Sequence, residues 1–243
     1  MRAVDVAVLG GGPGGYTAAI RAAQLGASVA CIEREAELGG TCVRIGCVPT
    51  KAWVQTALAL KQANETFDKL GVRVGGSELA FSQANEWKAG VVKQMTQGVA
   101  LLFKVNGVEW VKGTGTLEDA NTLVVDGGEC VEFTSEIIAT GSFPLWPAID
   151  GLDSDRCVDS EGLLAQTEVP ERLMILGGGV IGCEFASIFQ RFGSAVTIIE
   201  LLPSLIPQED AEAARELAKV FRKRGIALQL EKQCTQVEDS GSV

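Results

Sequence analysis

The chain has 243 residues, of which 47% are hydrophobic and 21% charged, a composition typical of a globular protein with one large or two ordinary domains. Its formal net charge of −10 makes nucleic acid and anionic membranes poor partners. No apolar run approaches the roughly 20 residues that span a bilayer, and the sequence enters an apolar strand without a signal or transit peptide. We therefore expect a cytoplasmic protein in which most of the seven cysteines are free thiols.

The first predicted element is a β-turn-α-β unit in VAVLGGGPGGYTAAIRAAQLGASVACIE, which ends at Glu33. An apolar run leads into G-x-G-x-x-G, an Ala-rich helical pattern follows, and a second apolar run closes on the acid. The glycines permit a tight turn and let the backbone approach a pyrophosphate at the helix N-terminus. Glu33 suits a pair of ribose hydroxyls. A single motif of this kind is also compatible with an ordinary Gly-rich turn.

The next segment, GGTCVRIGCVPTK at 39–51, holds Cys42 and Cys47. On a regular α-helix, residues five apart have Cα atoms about 8 to 9 Å apart. A disulfide needs about 4.4 to 6.8 Å. If these cysteines are bonded, the segment must be a distorted helical entrance, which Gly46 and Pro49 would permit. A zinc site would need about four ligands, and the chain has no histidine and no second nearby cysteine pair. Two unrelated buried thiols are a further alternative, so these residues alone leave the pairing open.

Helical patterns over 50–67 and 86–104 come next, followed by short strands broken by turns over 108–140. EIIATGS predicts an apolar strand that ends on a tight turn. FPLWPAIDGL, with Pro144 and Pro147, predicts a crossover, so we place a domain boundary near residue 148.

A second β-turn-α-β pattern follows in LMILGGGVIGCEFASIFQRFGSAVTIIE, which ends at Glu200. Every matched position lies 167 residues after its counterpart: Gly10, Gly12, Gly15, Gly26 and Glu33 correspond to Gly177, Gly179, Gly182, Gly193 and Glu200. Two such patterns, each with strand, helix and acid, are hard to obtain by chance. The sequence therefore predicts two dinucleotide-binding units. Cys31 and Cys183 lie inside them and are expected to pack as small apolar residues. Beyond them, GIALQLEKQCTQVEDSGSV predicts a strand and the start of a hairpin.

GGTCVRIGCVPTK resembles the redox-active disulfide motif of the pyridine nucleotide–disulfide oxidoreductases. The first glycine-rich unit, the Ala-Thr-Gly at 139–141 and the second unit follow in the family's order, so the resemblance covers essentially the whole chain. It implies an α/β fold with two Rossmann-like units, FAD then NAD, and a three-stranded β-meander in the first. The domains would be 1–148 for FAD with the redox disulfide, and 149–243 for an incomplete NAD domain.

Within the family, the chain looks most similar to the NAD-linked members that oxidise dihydrolipoamide. One reason is physical, because Glu200 is followed by Leu201 and Leu202 rather than arginine. A carboxylate accepts the ribose hydroxyls of NAD and repels the 2′-phosphate of NADP. The expected partners are dihydrolipoamide or the lipoyl domain of a 2-oxo acid dehydrogenase-type complex, and a second subunit in a full-length homodimer.

The resemblance also assigns catalytic roles. Cys42 would be the thiol that exchanges with the substrate dithiol, and Cys47 would lie against the isoalloxazine. Lys51 would lie near flavin N5, paired with Glu184, which would face the nicotinamide. Their alternative interpretations are a surface lysine and a glutamate on an exposed helix face. Electrons would pass from dihydrolipoamide to Cys42–Cys47, then to FAD and NAD.

The cofactor-binding residues implied by the resemblance form two sets, and no metal site is predicted. The FAD set is Gly10, Gly12, Pro13, Gly14, Gly15, Glu33, Arg34, Gly40, Thr41, Cys42, Lys51, Gly115, Ala139, Thr140, Gly141 and Ser142. The NAD set is Gly177, Gly178, Gly179, Val180, Ile181, Gly182, Glu184 and Glu200.

The sequence also departs from the family pattern. The family continues with a Gly-Asp segment for the flavin and a dimerisation domain whose histidine is the acid–base catalyst, and this sequence has neither a Gly-Asp nor a histidine. We therefore expect a fragment that carries the electron-transfer part of the site. The alternatives are a reductase of another disulfide substrate, and a non-catalytic nucleotide-binding or complex-docking fragment.

Overall fold

The computed structural model describes residues 2–238. The strands are β1 (Arg2–Leu9), β2 (Val29–Glu33), β3 (Glu109–Lys112), β4 (Gly115–Asp119), β5 (Thr122–Val125), β6 (Glu129–Ile138), β7 (Arg172–Leu176), β8 (Ala195–Ile199) and β9 (Ala227–Gln229). The α-helices are α1 (Pro13–Gln24), α2 (Gly40–Arg44), α3 (Cys47–Lys61), α4 (Phe81–Asn106), α5 (Ser160–Leu164), α6 (Val180–Phe192) and α7 (Ala211–Lys223). Within residues 2–238, no helix is both long enough and apolar enough to cross a membrane.

Contacts between Cα atoms divide the chain into two compact units. Unit 1 comprises Met1–Pro49 and Ala89–Pro144, and unit 2 comprises Thr50–Lys88 and Leu145–Val243. The predicted domains, 1–148 and 149–243, are defined by the nucleotides they would bind, and that assignment stays a prediction.

Unit 1 is built on a six-stranded sheet in the order β3-β2-β1-β6-β5-β4. Strand β1 pairs in parallel with β2 and β6, and β2 pairs in parallel with β3. Strands β4, β5 and β6 pair antiparallel in sequence order, which confirms the predicted three-stranded meander. Because β6 is ten residues long, it can pair in parallel with β1 and also antiparallel with β5 in the meander.

The core of unit 1 lies on both faces of the sheet, because alternate residues of a strand point to opposite sides. Ala7, Ala30 and Ile32 belong to the cluster that contains the meander residues, whereas Val8 and Cys31 belong to the cluster that contains residues of α1 and α4. Strand β2 is buried along its whole length, as expected for a parallel strand covered on both faces.

Unit 2 contains a three-stranded parallel sheet in the order β7-β8-β9. Helix α6 connects the first two of these strands and α7 the last two. Its core is aromatic: the ring centroid of the fully buried Trp53 lies 5.4 Å from that of Phe81, 5.7 Å from Phe189 and 6.1 Å from Phe192. Aromatic pairs at such distances stabilise a core beyond the area they bury.

Both predicted β-turn-α-β units are confirmed, as β1-α1-β2 and β7-α6-β8. The helical prediction over 86–104 began too late, since α4 starts at Phe81. Packing extends the helix, because Ala84 is buried and Phe81 lies against Trp53. The prediction over 50–67 began three residues late, and the end of that stretch is a π-helical turn, Gln62–Thr66.

The predicted strand near the C-terminus is β9, which pairs in parallel with β8. Further along, Gln236 forms an isolated parallel bridge with Asp150. The predicted start of a hairpin extends over residues 239–243, which lie outside the described residues.

We expect Gly15→Ala to destabilise the protein by about 2 to 4 kcal/mol, since an added Cβ would overlap the carbonyl oxygen of Gly10. That oxygen is backbone, so the clash is relieved only by moving α1 away from β1. Gly98→Ala is the matched control: Gly98 is an interior residue of α4 with nothing within 4 Å of an added Cβ. There alanine should stabilise by about 0.5 to 1 kcal/mol. Urea midpoints measure both changes, and equal midpoints would contradict the expectation.

Candidate functional site

The glycine turn of unit 1 connects β1 to α1. Gly10 has φ +107°, a region that favours glycine, and its added Cβ would also overlap the carbonyl oxygen of Ala139. Gly12 is the N-cap of α1, and Pro13 follows at the first helical position, where its missing N–H costs nothing. Sterics therefore require glycine at the first and third motif positions, Gly10 and Gly15.

Packing does not explain the other glycines of this turn. Gly12 has an ordinary φ of −75°, and the nearest atom to an added Cβ is Gly40 Cα at 3.6 Å. Around Gly14 the nearest atom is 3.9 Å away. Glycine at these positions keeps side chains off the first turn of α1, where N–H groups without intrahelical partners favour an anion. The turn therefore fits the pyrophosphate of a dinucleotide.

Unit 2 repeats this geometry. Gly177 has φ +106°, and an added Cβ at Gly182 would overlap the carbonyl oxygen of Gly177. Gly179, the N-cap of α6, has nothing within 4 Å of an added Cβ. Val180 and Ile181 are exposed at the start of the helix. The second turn therefore fits a pyrophosphate for the same reason as the first.

The two predicted ribose acids are buried and bond to main-chain N–H groups. Glu33 Oε2 accepts from Gly11 N–H at 2.7 Å, and Oε1 accepts from Glu35 N–H at 2.9 Å. Glu200 does the same with Gly178 at 2.6 Å and Leu202 at 2.7 Å. Each carboxylate thus holds its own glycine turn. Because each oxygen has capacity for a second bond, ribose binding is compatible with this arrangement and stays a prediction.

Cys42 and Cys47 form a disulfide with a Cα–Cα distance of 4.7 Å. The segment is a broken helix, as a bonded pair requires: α2 ends at Arg44, and α3 begins at Cys47. Gly46 lies in the break, where an added Cβ would be 2.9 Å from the carbonyl oxygen of Thr41. The disulfide excludes the zinc site and the pair of unrelated thiols for these two residues.

The other residues predicted to bind FAD in unit 1 lie around the carboxyl ends of its parallel strands. Ala139 directly follows β6, and its N–H donates to Leu9 O at 2.8 Å at the end of β1. Gly115 begins β4, and its added Cβ would be 2.7 Å from Leu9 Cδ1 and 3.1 Å from Ile32 Cγ2. Open α/β sheets bind ligands at this edge.

The remaining members of this set are exposed or half-buried near the same edge. Arg34 directly follows β2, and its guanidinium carbon lies 5.3 Å from the ring centroid of Phe143. Gly40 begins α2, and Thr41 is exposed beside it. Thr140, Gly141 and Ser142 are exposed after β6. The structure thus brings the set together within unit 1, apart from Lys51 in unit 2.

In unit 2, Lys51 on α3 forms an ion pair with Glu184 on α6. The Lys51 side chain is 58% exposed and that of Glu184 is 39% exposed, so solvent screens this pair. The ion pair itself is present, whereas the roles of the two residues beside flavin and nicotinamide stay predictions.

Sequence reasoning missed a contact that follows each acid. Gly39 N–H donates to Gly11 O at 2.9 Å, and Ile206 N–H donates to Gly178 O at 2.8 Å. The signal was available, because these residues continue the 167-residue offset of the repeat. It was weak, since the preceding Leu38 and Leu205 are the only identical pair in that stretch after the acids.

Two cysteines outside the disulfide are buried, as predicted. Burial raises the pKa of the Cys31 thiol to about 12 and that of Cys183 to about 11, and the nearby carboxylates of Glu33 and Glu200 add to these shifts. A raised pKa keeps a thiol protonated, so both are poor nucleophiles near neutral pH. The same shifts contribute stability that is complete below about pH 9 and is lost as the pH rises towards these values.

We expect iodoacetamide at pH 8 to alkylate Cys130, Cys157 and Cys234, the half-buried free cysteines, and to spare Cys31 and Cys183. After reduction, Cys42 and Cys47 should react as well. Peptide mass spectrometry of the native protein checks this, with the denatured and reduced chain as the control in which all seven cysteines react. Labelling of Cys42 before reduction would contradict the disulfide.

Comparison with known proteins agrees with this geometry. Residues 4–243 match the family model described as pyridine nucleotide-disulphide oxidoreductase. The chain is 41% identical to dihydrolipoyl dehydrogenase 3 of Pseudomonas putida, covering 99% of this chain and 52% of that protein. It is also 41% identical to the dihydrolipoyl dehydrogenase of Acholeplasma laidlawii, over 97% of this chain and 70% of that protein.

Among solved structures, the fold is similar to that of the Cu(II) complex of the HOCl-induced flavoprotein disulfide reductase RclA from Escherichia coli. The TM-score is 0.83 and the identity 31%, over 98% of this chain and 51% of that one. The chain thus spans about half the length of most of the relatives it matches. With the paired glycine turns and the Cys42–Cys47 disulfide, these matches show that the chain belongs to the pyridine nucleotide-disulphide oxidoreductase family.

Proposed function

We propose that the chain carries the electron-transfer part of a flavoprotein that oxidises dihydrolipoamide with NAD. The observation that carries this proposal is the position of the Cys42–Cys47 disulfide in unit 1. Its first cysteine lies on α2, and α2 begins at Gly40, whose Cα would be 3.6 Å from a Cβ added at Gly12. The disulfide segment therefore starts against the glycine turn that fits a dinucleotide.

FAD is assigned to unit 1 because the disulfide segment and the carboxyl edge of the sheet lie in the same unit. The turn would bind the pyrophosphate through main-chain N–H groups, and Glu33 would bind the adenosine ribose. Arg34, Thr41, Gly115 and residues 139–142 would line the rest of the site.

NAD is assigned to unit 2 because of the acid at the end of β8. Glu200 occupies the position that binds ribose hydroxyls, and Leu201 and Leu202 follow it. The carboxylate would repel the 2′-phosphate of NADP, and neither leucine can neutralise that phosphate. Lys51 and Glu184 would hold their ion pair at the edge where the nicotinamide binds.

The chemistry of the cysteines is thiol–disulfide exchange. A substrate thiolate attacks Sγ of Cys42, the Cys42–Cys47 bond breaks, and Cys47 leaves as a thiolate. The second substrate thiol then displaces Cys42, so the dithiol becomes a disulfide and the protein gains two electrons and two protons. FAD and NAD, when bound, supply the hydride chemistry that carries the electron pair to NADH with release of one proton.

Substrate and partners follow from the relatives. The P. putida relative is a dihydrolipoyl dehydrogenase, which favours dihydrolipoamide or a lipoyl domain of a 2-oxo acid dehydrogenase-type complex as the donor. A homodimer of the full-length protein is proposed from the family resemblance alone. This sequence has no histidine, so an acid–base histidine would have to come from outside it. Free thiols beside one catalytic disulfide suit a reducing compartment such as the cytoplasm.

A second candidate is a reductase of another disulfide substrate. The similarity to the E. coli structure described as a flavoprotein disulfide reductase favours it. A third candidate is a non-catalytic nucleotide-binding or complex-docking fragment, and the experiment in the next paragraph tests it as well.

We expect the chain, reconstituted with FAD, to show a flavin absorption band that gains a long-wavelength charge-transfer shoulder when dihydrolipoamide is added. The shoulder requires a thiolate beside the flavin, the role proposed for Cys47. Cys42→Ser frees Cys47 and should show the shoulder without reductant, whereas the matched Cys47→Ser should not show it at all. A colourless chain after reconstitution, or identical spectra for the two variants, would contradict the proposal.

We also expect the chain to bind NADH at least about tenfold more tightly than NADPH, since one like-charge repulsion at a partly buried site is worth about 1.4 kcal/mol or more. Glu200→Gln keeps an acceptor for one of the two main-chain N–H groups while removing the charge, so it should narrow the preference. Quenching of tryptophan fluorescence measures both affinities, with Glu33→Gln as the control in the other unit. A preference for NADPH in the unsubstituted chain would overturn the assignment.

A further inference from the structure

Besides the buried acid, a second set of contacts holds each glycine turn, and it continues the repeat beyond the acid. We call it the clamp, which is Leu38 and Gly39 in unit 1 and Leu205 and Ile206 in unit 2. In unit 1, Leu38 is fully buried with its Cδ2 2.6 Å from a Cβ added at Gly11, and Gly39 N–H donates to Gly11 O. In unit 2, Leu205 is fully buried with its Cδ2 2.7 Å from a Cβ added at Gly178, and Ile206 N–H donates to Gly178 O. Both clamps therefore contact the glycine at the x position of G-x-G, which is Gly11 or Gly178. In each unit the contacts are a leucine Cδ2 beside this glycine and an N–H bond to its carbonyl oxygen.

The clamp orients the group that would face the nucleotide. The C=O of Gly178 and the N–H of Gly179 belong to one planar trans peptide unit, so their directions are opposite and fixed together. When Ile206 binds the carbonyl on one side, the N–H of Gly179 points to the other. Loss of this bond would let the peptide unit rotate and would misdirect a donor to the pyrophosphate.

The two clamps differ in one residue. Gly39 has φ +121°, which glycine adopts freely, whereas Ile206 has φ +40°. A β-branched residue with positive φ is a genuine outlier, because its Cβ crowds the following carbonyl. Pro207 follows and restricts the backbone of Ile206 further. The clamp is therefore strained in unit 2 in a way that it is not in unit 1.

The surrounding contacts hold Ile206 in this conformation. Leu205 anchors the segment in the core, and the carbonyl oxygen of Ile206 accepts from Glu209 N–H at 2.9 Å. Strain of this kind persists where neighbouring structure imposes it, and it collects at ligand-binding segments.

We propose that residues 201–207 form a strained latch that positions the nucleotide turn of unit 2. Ile206 is its positioning residue, and the backbone strain at Ile206 weakens nucleotide binding because it favours opening of the latch. The latch has a closed state, in which Ile206 N–H binds Gly178 O, and an open state, which releases the strain. The nucleotide binds the closed state, so its apparent dissociation constant is the intrinsic one divided by the closed fraction, and the strain leaves about 10 to 30% of nucleotide-free molecules closed. This inference rests on the proposed function, in which unit 2 binds a nucleotide that must leave in each turnover while unit 1 keeps its own.

The test uses three substitutions of one residue. Ile206→Gly adopts positive φ without strain, and Ile206→Asn tolerates it while keeping a side chain. Ile206→Val is the matched control, because it keeps the β-branch and the strain. NADH should bind the glycine and asparagine variants about three- to tenfold more tightly than the unsubstituted chain, whereas the valine variant should be unchanged.

Hydrogen exchange supplies a readout that does not depend on the nucleotide. In the nucleotide-free chain, the amide of residue 206 should exchange faster than that of Gly39, after correction for intrinsic rates, and Ile206→Gly should slow it. Equal NADH affinities for all four proteins, or equal protection of the two amides, would overturn the latch. Failure of the unsubstituted chain to bind NADH would instead count against the proposed function, and exchange at the two amides would still decide the latch.

Discussion

The structure depends first on the close contact between the start of a helix and the end of the preceding strand. In unit 1, Gly15 lies so close to the carbonyl oxygen of Gly10 that no Cβ fits, and in unit 2 Gly182 lies in the same way against Gly177. This contact sets α1 and α6 over their sheets with the N-terminal turns at the carboxyl edges of the strands. Because the helix dipole and the N–H groups of the first turn point to that edge, the same contact that closes the core also makes an anion site.

The buried acids of the two repeats have a structural role before any role towards a ligand. Glu33 and Glu200 each accept two main-chain N–H bonds, one at each oxygen, so each carboxylate is already fixed within its own unit. Bonds to a charged acceptor are about twice as strong as neutral ones, which explains how a short Gly-rich turn keeps one conformation. A ribose would therefore meet a preorganised acceptor, whose position depends little on whether the nucleotide is bound.

The disulfide illustrates how function is linked to an irregularity of the backbone. A regular helix would hold Cys42 and Cys47 too far apart, and the break between α2 and α3 shortens their Cα–Cα distance to 4.7 Å. The break occurs at Gly46, where a side chain would crowd Thr41. Cys31 and Cys183 show the opposite case, because burial in regular elements raises their thiol pKa values and leaves them unreactive.

The sequence by itself determined the two β-turn-α-β units, because glycine spacing and apolar runs are local patterns with local steric causes. The meander and the family followed from the resemblance carried by the cysteine motif and the two glycine-rich units. Reasoning from the residues alone did not decide whether Cys42 pairs with Cys47, since the distance between the two side chains depends on where the helix breaks. Tertiary structure alone decided that α4 begins at Phe81, through packing on Trp53. It also decided that Ile206 holds a left-handed conformation beside Gly178, because that strain comes from contacts between segments distant in sequence, which no local propensity encodes.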